Sequence, residues 1–253
     1  MPQNLWFAAT FVFSLMTTAP ALAQEVNEGW KVSITGYAWT PAYDNDIKDS
    51  ATGQTSHSSA SFIDWIGNLR SVPVIVKGEA QYDRFGVIGD LIYLPLSQGS
   101  TINRPILGPI KVKTDVTTTT ATVAGFYRAY QTDQLNIDLL GGFRYVKLEL
   151  GLDVNGPGRG FSRDADASFT EAIVGVRATQ RLGTKTSVTG YGDYGGFGGS
   201  KTVWQLIGTL NYQWTPKATA FAGWRHFVIE IEKDRLSSDV TMSGPVFGAT
   251  YRF

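Results

Sequence analysis

The sequence predicts an all-β protein: a transmembrane, antiparallel, up-and-down β-barrel of about ten strands, with eight as the alternative count. Three observations predict it. Apolar and polar residues alternate with a period of two in segment after segment, as in "VWQLIGTLNYQW" at 203–214. Trp204 and Trp214 lie ten residues apart on the apolar face of that segment. At ~3.3 Å per residue and ~40° of tilt this is about 25 Å, the height of a lipid-facing band with an aromatic girdle at each edge. Finally, short and long connections alternate along the chain, as they do when one end of a barrel carries tight turns and the other carries loops.

The elements follow in order. Residues 5–16, "LWFAATFVFSLM", are an apolar run too short to span a bilayer, and Ala21 and Ala23 form an A-x-A site. Residues 1–23 therefore read as a cleaved signal peptide, although no Lys or Arg precedes Lys31. The barrel is then expected over residues 24–253. Its strands are placed near 30–41, 70–82, 85–97, 115–130, 134–151, 167–181, 185–197, 201–214, 217–232 and 239–253. Short turns fall at "YDRF", "YQTDQ", "RLGTK" and "WTPKA"; longer loops are expected at 42–69, 98–114 and 152–166, with shorter ones at 198–200 and 233–238. Within the first long loop, "SFIDWIGNLR" (61–70) has a helical stripe of Phe62, Trp65, Ile66 and Leu69 suited to packing at the barrel mouth. The alternation persists to the end: Phe247, Ala249, Tyr251 and Phe253 share one face, so the last strand runs to the final residue. It must pair with the first strand, because lipid tolerates no free sheet edge. Trp204, Tyr212, Trp214 and Trp224 are assigned to the aromatic girdles.

Composition narrows the function classes. The 22 basic and 22 acidic residues cancel, which argues against a nucleic-acid partner. There is no Cys, hence no disulfide framework or zinc-thiolate site. The only histidines are His57 and His226, too few for a metal centre. His57 sits in the polar stretch "GQTSHSSAS", and His226 follows an inward Arg225, so alternation turns it outward. Asp44 and Asp46 in "YDNDIKD" read as solvated loop carboxylates. "GGFGGS" lacks the following helix and Lys of a phosphate loop. No cofactor, no metal and no catalytic residue is assigned, and the chain is expected not to be an enzyme.

Charges in the strands belong in the lumen, since Arg or Lys facing lipid at midplane costs ~2–4 kcal/mol. That rule points Lys77, Glu79, Asp90, Asp138, Arg144, Glu171, Arg177, Asp193 and Arg225 inward. Two arrangements are open. Nearly balanced charges can pair across a narrow interior and fill it, or they can line an aqueous path and set its selectivity. About ten strands is little wider than the eight whose interior side chains fill, so a filled polar lumen is expected first and a narrow solute channel second. A barrel enzyme is the third reading.

Several motifs resemble one group of Gram-negative outer-membrane β-barrels, mostly of unassigned function. They are "FGVIGDLIYLPL" (85–96), "DLLGGFRY" (138–145), "GYGDYGGFGGSKTVWQ" (190–205), "AGWRHF" and "MSGPVFGATYRF". The match covers about Ser61 to Phe253 and departs from the pattern at Gly223-Trp224-Arg225, where Gly-Tyr-Arg is expected. The resemblance implies residence in the outer membrane and contact with its lipids. It also implies recognition by the barrel-assembly machinery through Phe247, Tyr251 and Phe253 of the C-terminal strand. It implies no reaction and no ligand, so a structural or surface-interaction role is the expectation.

Overall fold

The computed structural model describes residues 29–49, 53–60, 74–104, 108–156, 160–199, 201–233 and 236–253. Residues 1–23, expected as a signal peptide, and the 61–70 stretch lie outside them. The strands are β1 Trp30–Trp39, β2 Ala42–Asp49, β3 Gln54–Ala60, β4 Val74–Tyr82, β5 Phe85–Arg104 and β6 Gly108–Gln131. They continue with β7 Leu135–Asn155, β8 Gly160–Arg181, β9 Thr186–Gly195, β10 Lys201–Gln213, β11 Ala218–Lys233 and β12 Leu236–Arg252.

Every pairing is antiparallel, in the order β1-β4-β5-β6-β7-β8-β9-β10-β11-β12, and β12 returns to β1 to close the ring. These are the ten strands that periodicity predicts. Closure places Phe247 opposite Ala38 and Tyr251 opposite Ile34, so the aromatic end of the chain forms the seam. The remaining two strands make a hairpin on top of that seam. Pro41 has no N–H to donate, and β1 breaks at Thr40–Pro41. Beyond the break β2 resumes along β12, with Ala42 opposite Ser243, and β3 folds back on β2.

The tight turns are built by their own side chains. In "YDRF", Asp83 takes a positive φ of 49°, which Asp tolerates better than most residues. In "QTDQL", the Thr132 hydroxyl oxygen accepts the Leu135 N–H at 2.9 Å. Thr215 does the same for Ala218 at 2.9 Å. These local bonds fix the loop length and thereby the register of the strands they join.

The opposite end differs from expectation. The stretches 98–114 and 152–166, expected as loops, are mostly strand, because β5 through β8 run on as two tall hairpins. The expected loop at 42–69 likewise contains β2 and β3. The physical reason is that these segments stand clear of the apolar band. Without lipid on one side their outer faces are polar, as in "KVKTD", and the alternation reverses: on β7 Leu148, Leu150, Leu152 and Val154 share the inward face while Lys147, Glu149 and Asp153 face out. β6 has 24 residues, about 60 Å along the axis at ~3.3 Å per residue and ~40° tilt, roughly twice a lipid-facing band.

The outer wall is apolar where the ring is complete. Val123 (61% exposed), Phe143 (64%), Leu139 (53%) and Leu206 (56%) all point away from the barrel. A water-facing wall of this composition would be one contiguous hydrophobic patch, so lipid is its natural solvent. Aromatic pairs gather at the turn end: Trp30 with Tyr82 (5.4 Å), Phe85 with Tyr127 (5.0 Å) and Tyr251 with Phe253 (5.2 Å). Tyr212 and Trp214 join them at half or greater exposure, while Trp224 and the half-buried Trp204 sit further up the wall.

Candidate functional site: a layered lumen

Alternation fixes which side chains point inward, and their order along each strand stacks them into tiers. From the turn end, β7 presents Asp138, Leu140, Gly142, Arg144, Val146 and Leu148; β11 presents Phe221, Gly223, Arg225, Phe227 and Ile229. Charged and apolar tiers therefore alternate up the barrel.

The lowest tier is an ion cluster across the lumen. Arg177 on β8 donates to both carboxylate oxygens of Glu79 on β4, at 2.6 and 2.9 Å, reaching almost to the facing wall. Its Nε donates to Asp138 at 2.9 Å, and Arg128 donates to the same carboxylate at 2.8 Å. Two guanidinium groups thus share Asp138, which is 2% exposed. Above them Ile88, Phe126, Leu140 and Tyr191 form a small apolar layer, with the Arg177 guanidinium 4.9 Å above the Phe126 ring.

The next tier is the most enclosed. Arg144 on β7 grips Asp193 on β9 with two parallel bonds of 2.6 and 2.7 Å, and its Nε donates to Thr122 at 3.0 Å. Asp193 also accepts from Tyr191 and Gln205, each at 2.6 Å. The two side chains of this ion pair are 1% and 0% exposed. Beside them Arg225 donates to the Tyr37 hydroxyl at 2.9 Å, and Tyr37 donates to Asp90 at 2.7 Å. Asp90 lies 3.7 Å from Arg225, so β11, β1 and β5 are tied together through the interior. Arg225 Nε has no acceptor among the described residues; the guanidinium instead lies 4.8 Å over the Trp39 ring. A charge-assisted bidentate pair is among the stronger polar contacts available, and here no water competes for it.

A lid of apolar side chains closes the lumen above: Trp39, Ile92, Val146, Leu148, Phe169, Val203, Phe227, Ile229, Val240 and Met242 form one buried cluster. Trp39 and Phe227 meet edge to face at 6.3 Å, and the Phe227 ring also lies 5.4 Å from the Arg144 guanidinium. The backbone adapts to this packing. A Cβ added to inward-facing Gly142 would overlap the Val123 carbonyl oxygen and Ala124, so the wall there can approach only because the residue is Gly.

All nine charges assigned inward by sequence lie on inward-facing positions, and Glu79, Asp90, Asp138, Arg144, Arg177, Asp193 and Arg225 are brought into contact. Two are not. Lys77 and Glu171 make no hydrogen bond or ion pair among the described residues. Glu171 stands directly across from Arg144 on β7, whose guanidinium is instead engaged by Asp193. Arg128 was missed, although it falls on the same face as Thr122 and Phe126; the irregular register between Arg128 and Tyr130 blurs the pattern there. Adding Arg128 to the nine makes five bases and five acids, and Lys201 on β10, also of inward parity, lies 5.1 Å from the Phe169 ring. The polar partners Tyr37, Thr122, Tyr191 and Gln205 and the rings of Trp39, Phe126 and Phe227 were also missed, since their inward parity was visible but their chemistry was not.

His226 does face outward, its ring tilted against that of Trp204 with centroids 5.1 Å apart. His57 is not in a loop but on β3, directly opposite Asp46, with its Nδ1 2.8 Å from that carboxylate. The pair is exposed and stands on the upper hairpin.

No protein-family model and no curated protein matches the chain. Among solved structures it is similar to the outer membrane protease OmpT from Escherichia coli, with a TM-score of 0.60 at 10% identity, covering 90% of this chain and 98% of that one. It also matches Ail, the attachment invasion locus protein of Yersinia pestis (TM-score 0.32, 16% identity, 90% and 100% covered). A third match is the translocator domain of autotransporter NalP from Neisseria meningitidis (0.37, 12%, 97% and 96%). At these identities the likeness is one of architecture. The chain has the fold of the Gram-negative outer-membrane β-barrels.

Proposed function

We propose that this chain is an exported outer-membrane protein whose barrel is a plugged anchor and whose tall hairpins, on the outer side, carry its interactions. The observation that carries the reading is the Arg144–Asp193 pair, essentially without exposure and bridging strands across the interior. A conduction path would leave its lining charges hydrated. Here the charges are spent on one another, with an apolar cluster above them. Short turns at one end and tall hairpins at the other match the periplasmic and outer ends of such barrels. The outer-membrane lipids contact the apolar wall, and the C-terminal strand that seals the seam at Phe247 and Tyr251 is the element the assembly machinery would read.

A liposome-swelling assay tests the plug. Vesicles carrying the folded chain should swell no faster than empty ones in an isosmotic small sugar. Sugar-size-dependent swelling would replace this reading with a narrow channel.

A further inference from the structure

The tall hairpins are not of equal height around the ring, and among the described residues strand edges are left uncovered on β3, on β5 above Tyr93 and on β8 above Ile173, the last being the longest. β9 ends at Gly195, opposite Ile173 of β8, where the chain turns through Gly196 (φ 130°). β10 then pairs with β11, away from β8. β8 continues upward to Gly160, paired with β7 as far as Asn155. Residues 160–172 of β8 therefore have β7 on one side and, among the described residues, no strand on the other. Every second residue of an antiparallel strand turns its N–H and C=O toward such an edge.

The two faces beside the edge differ. Toward the barrel axis β8 presents Phe161, Arg163, Ala165, Ala167 and Phe169; Phe161 is 57% exposed, and Phe169 is buried with the Lys201 ammonium 5.1 Å from its ring. On the outer face Asp164 and Asp166 have no ion pair among the described residues. Asp166 stands directly across from Glu149 of β7, and like charges in that relation are destabilising. Lys147 is the one base bonded to Glu149, at 2.8 Å, and it is itself solvent-exposed. Charged residues commonly guard an edge against chance pairing. These share one sign and one face, so they discriminate: a second copy pairing through β8 would bring Asp164 and Asp166 against their own equivalents.

We propose that the free edge of β8 is a strand-addition site for an extended segment of a partner polypeptide in which apolar and basic residues alternate. The main chain would complete the sheet, the apolar side chains would cover Phe161 and Ala165, and the basic ones would neutralise Asp164, Asp166 and Glu149. This rests on the surface-interaction reading above, yet it does not depend on whether the lumen conducts.

The test uses the full folded chain in lipid nanodiscs and a fluorescein-labelled alternating Val–Lys peptide of about ten residues, followed by anisotropy. Saturable binding is expected, with none for the Val–Glu counterpart. Asp164→Asn with Asp166→Asn should weaken it about three- to tenfold, the scale of exposed charge pairs. Methylating the peptide backbone nitrogens at every second residue should abolish binding in one of the two registers and spare it in the other. Equal binding of both methylated peptides would reduce the effect to charge adsorption and overturn strand addition. So would unchanged affinity in the double variant, no binding at all, or a chain that sediments as a dimer and fails to take the peptide. A silent barrel that ignores the peptide overturns only the partner; a conducting barrel that binds it overturns only the plug.

Discussion

Removing the carboxylate of Asp193 is the perturbation that strains the lumen most. In Asp193→Ala, Arg144 loses both bonds of its bidentate pair and keeps only Thr122, while Tyr191 and Gln205 lose their shared acceptor. The guanidinium is 1% exposed and cannot turn to water. Breaking a buried pair from one side costs about 3–5 kcal/mol, against about 0–1 kcal/mol for an exposed one. The unfolding equilibrium should therefore shift by roughly two to three and a half powers of ten. Urea unfolding of the chain in phospholipid vesicles, followed by tryptophan fluorescence and by heat-modifiable gel mobility, measures it. Replacing both partners, as Arg144→Met with Asp193→Leu, should restore most of the loss, because an apolar pair of similar volume carries no desolvation penalty. A single-variant cost below about 1 kcal/mol would refute the reasoning, since it would mean that water already reaches the pair.

Other perturbations rank below this one. Glu79→Ala should cost about 1–3 kcal/mol in the same urea assay, because its partner Arg177 is 11% exposed and keeps Asp138. Gly142→Ala should lower stability or slow folding, measured as the fraction reaching the heat-modifiable form, because the added Cβ meets the Val123 carbonyl and Ala124. His57→Ala should change stability by less than about 0.5 kcal/mol in urea unfolding, since its contact with Asp46 is 59% and 45% exposed.

The membrane-embedded half of the molecule was legible because lipid imposes a rule on every residue. A strand with lipid outside and a narrow lumen inside must alternate, so the cost of a charge in lipid places Arg144, Arg177 and Arg225 inward, the parity of their apolar neighbours agrees, and the aromatic run Phe247–Phe253 marks the seam. The rule lapses above the band. There the outer faces carry the charges, Lys147, Glu149 and Asp153 on β7 and Asp164 and Asp166 on β8, and the sequence at 152–166 looks like loop although it forms a tall hairpin. The charged network was readable as a set but not as pairs. Which acid meets which base depends on distances across the lumen, as when Arg177 of β8 reaches Glu79 of β4 as well as its cross-strand neighbour Asp138. The pairing of His57 with Asp46 was hidden for a related reason: it requires the β2–β3 hairpin, whose polar strands give no periodic signal.

The measurement that bears most directly on the plugged lumen is planar-bilayer conductance of the folded chain, with Arg144→Ala beside it. The account predicts a silent bilayer for the parent while gel mobility shows the barrel folded. Discrete current steps in the parent, with an ion selectivity that shifts in the variant, would contradict it and make the charged tiers a conduction path.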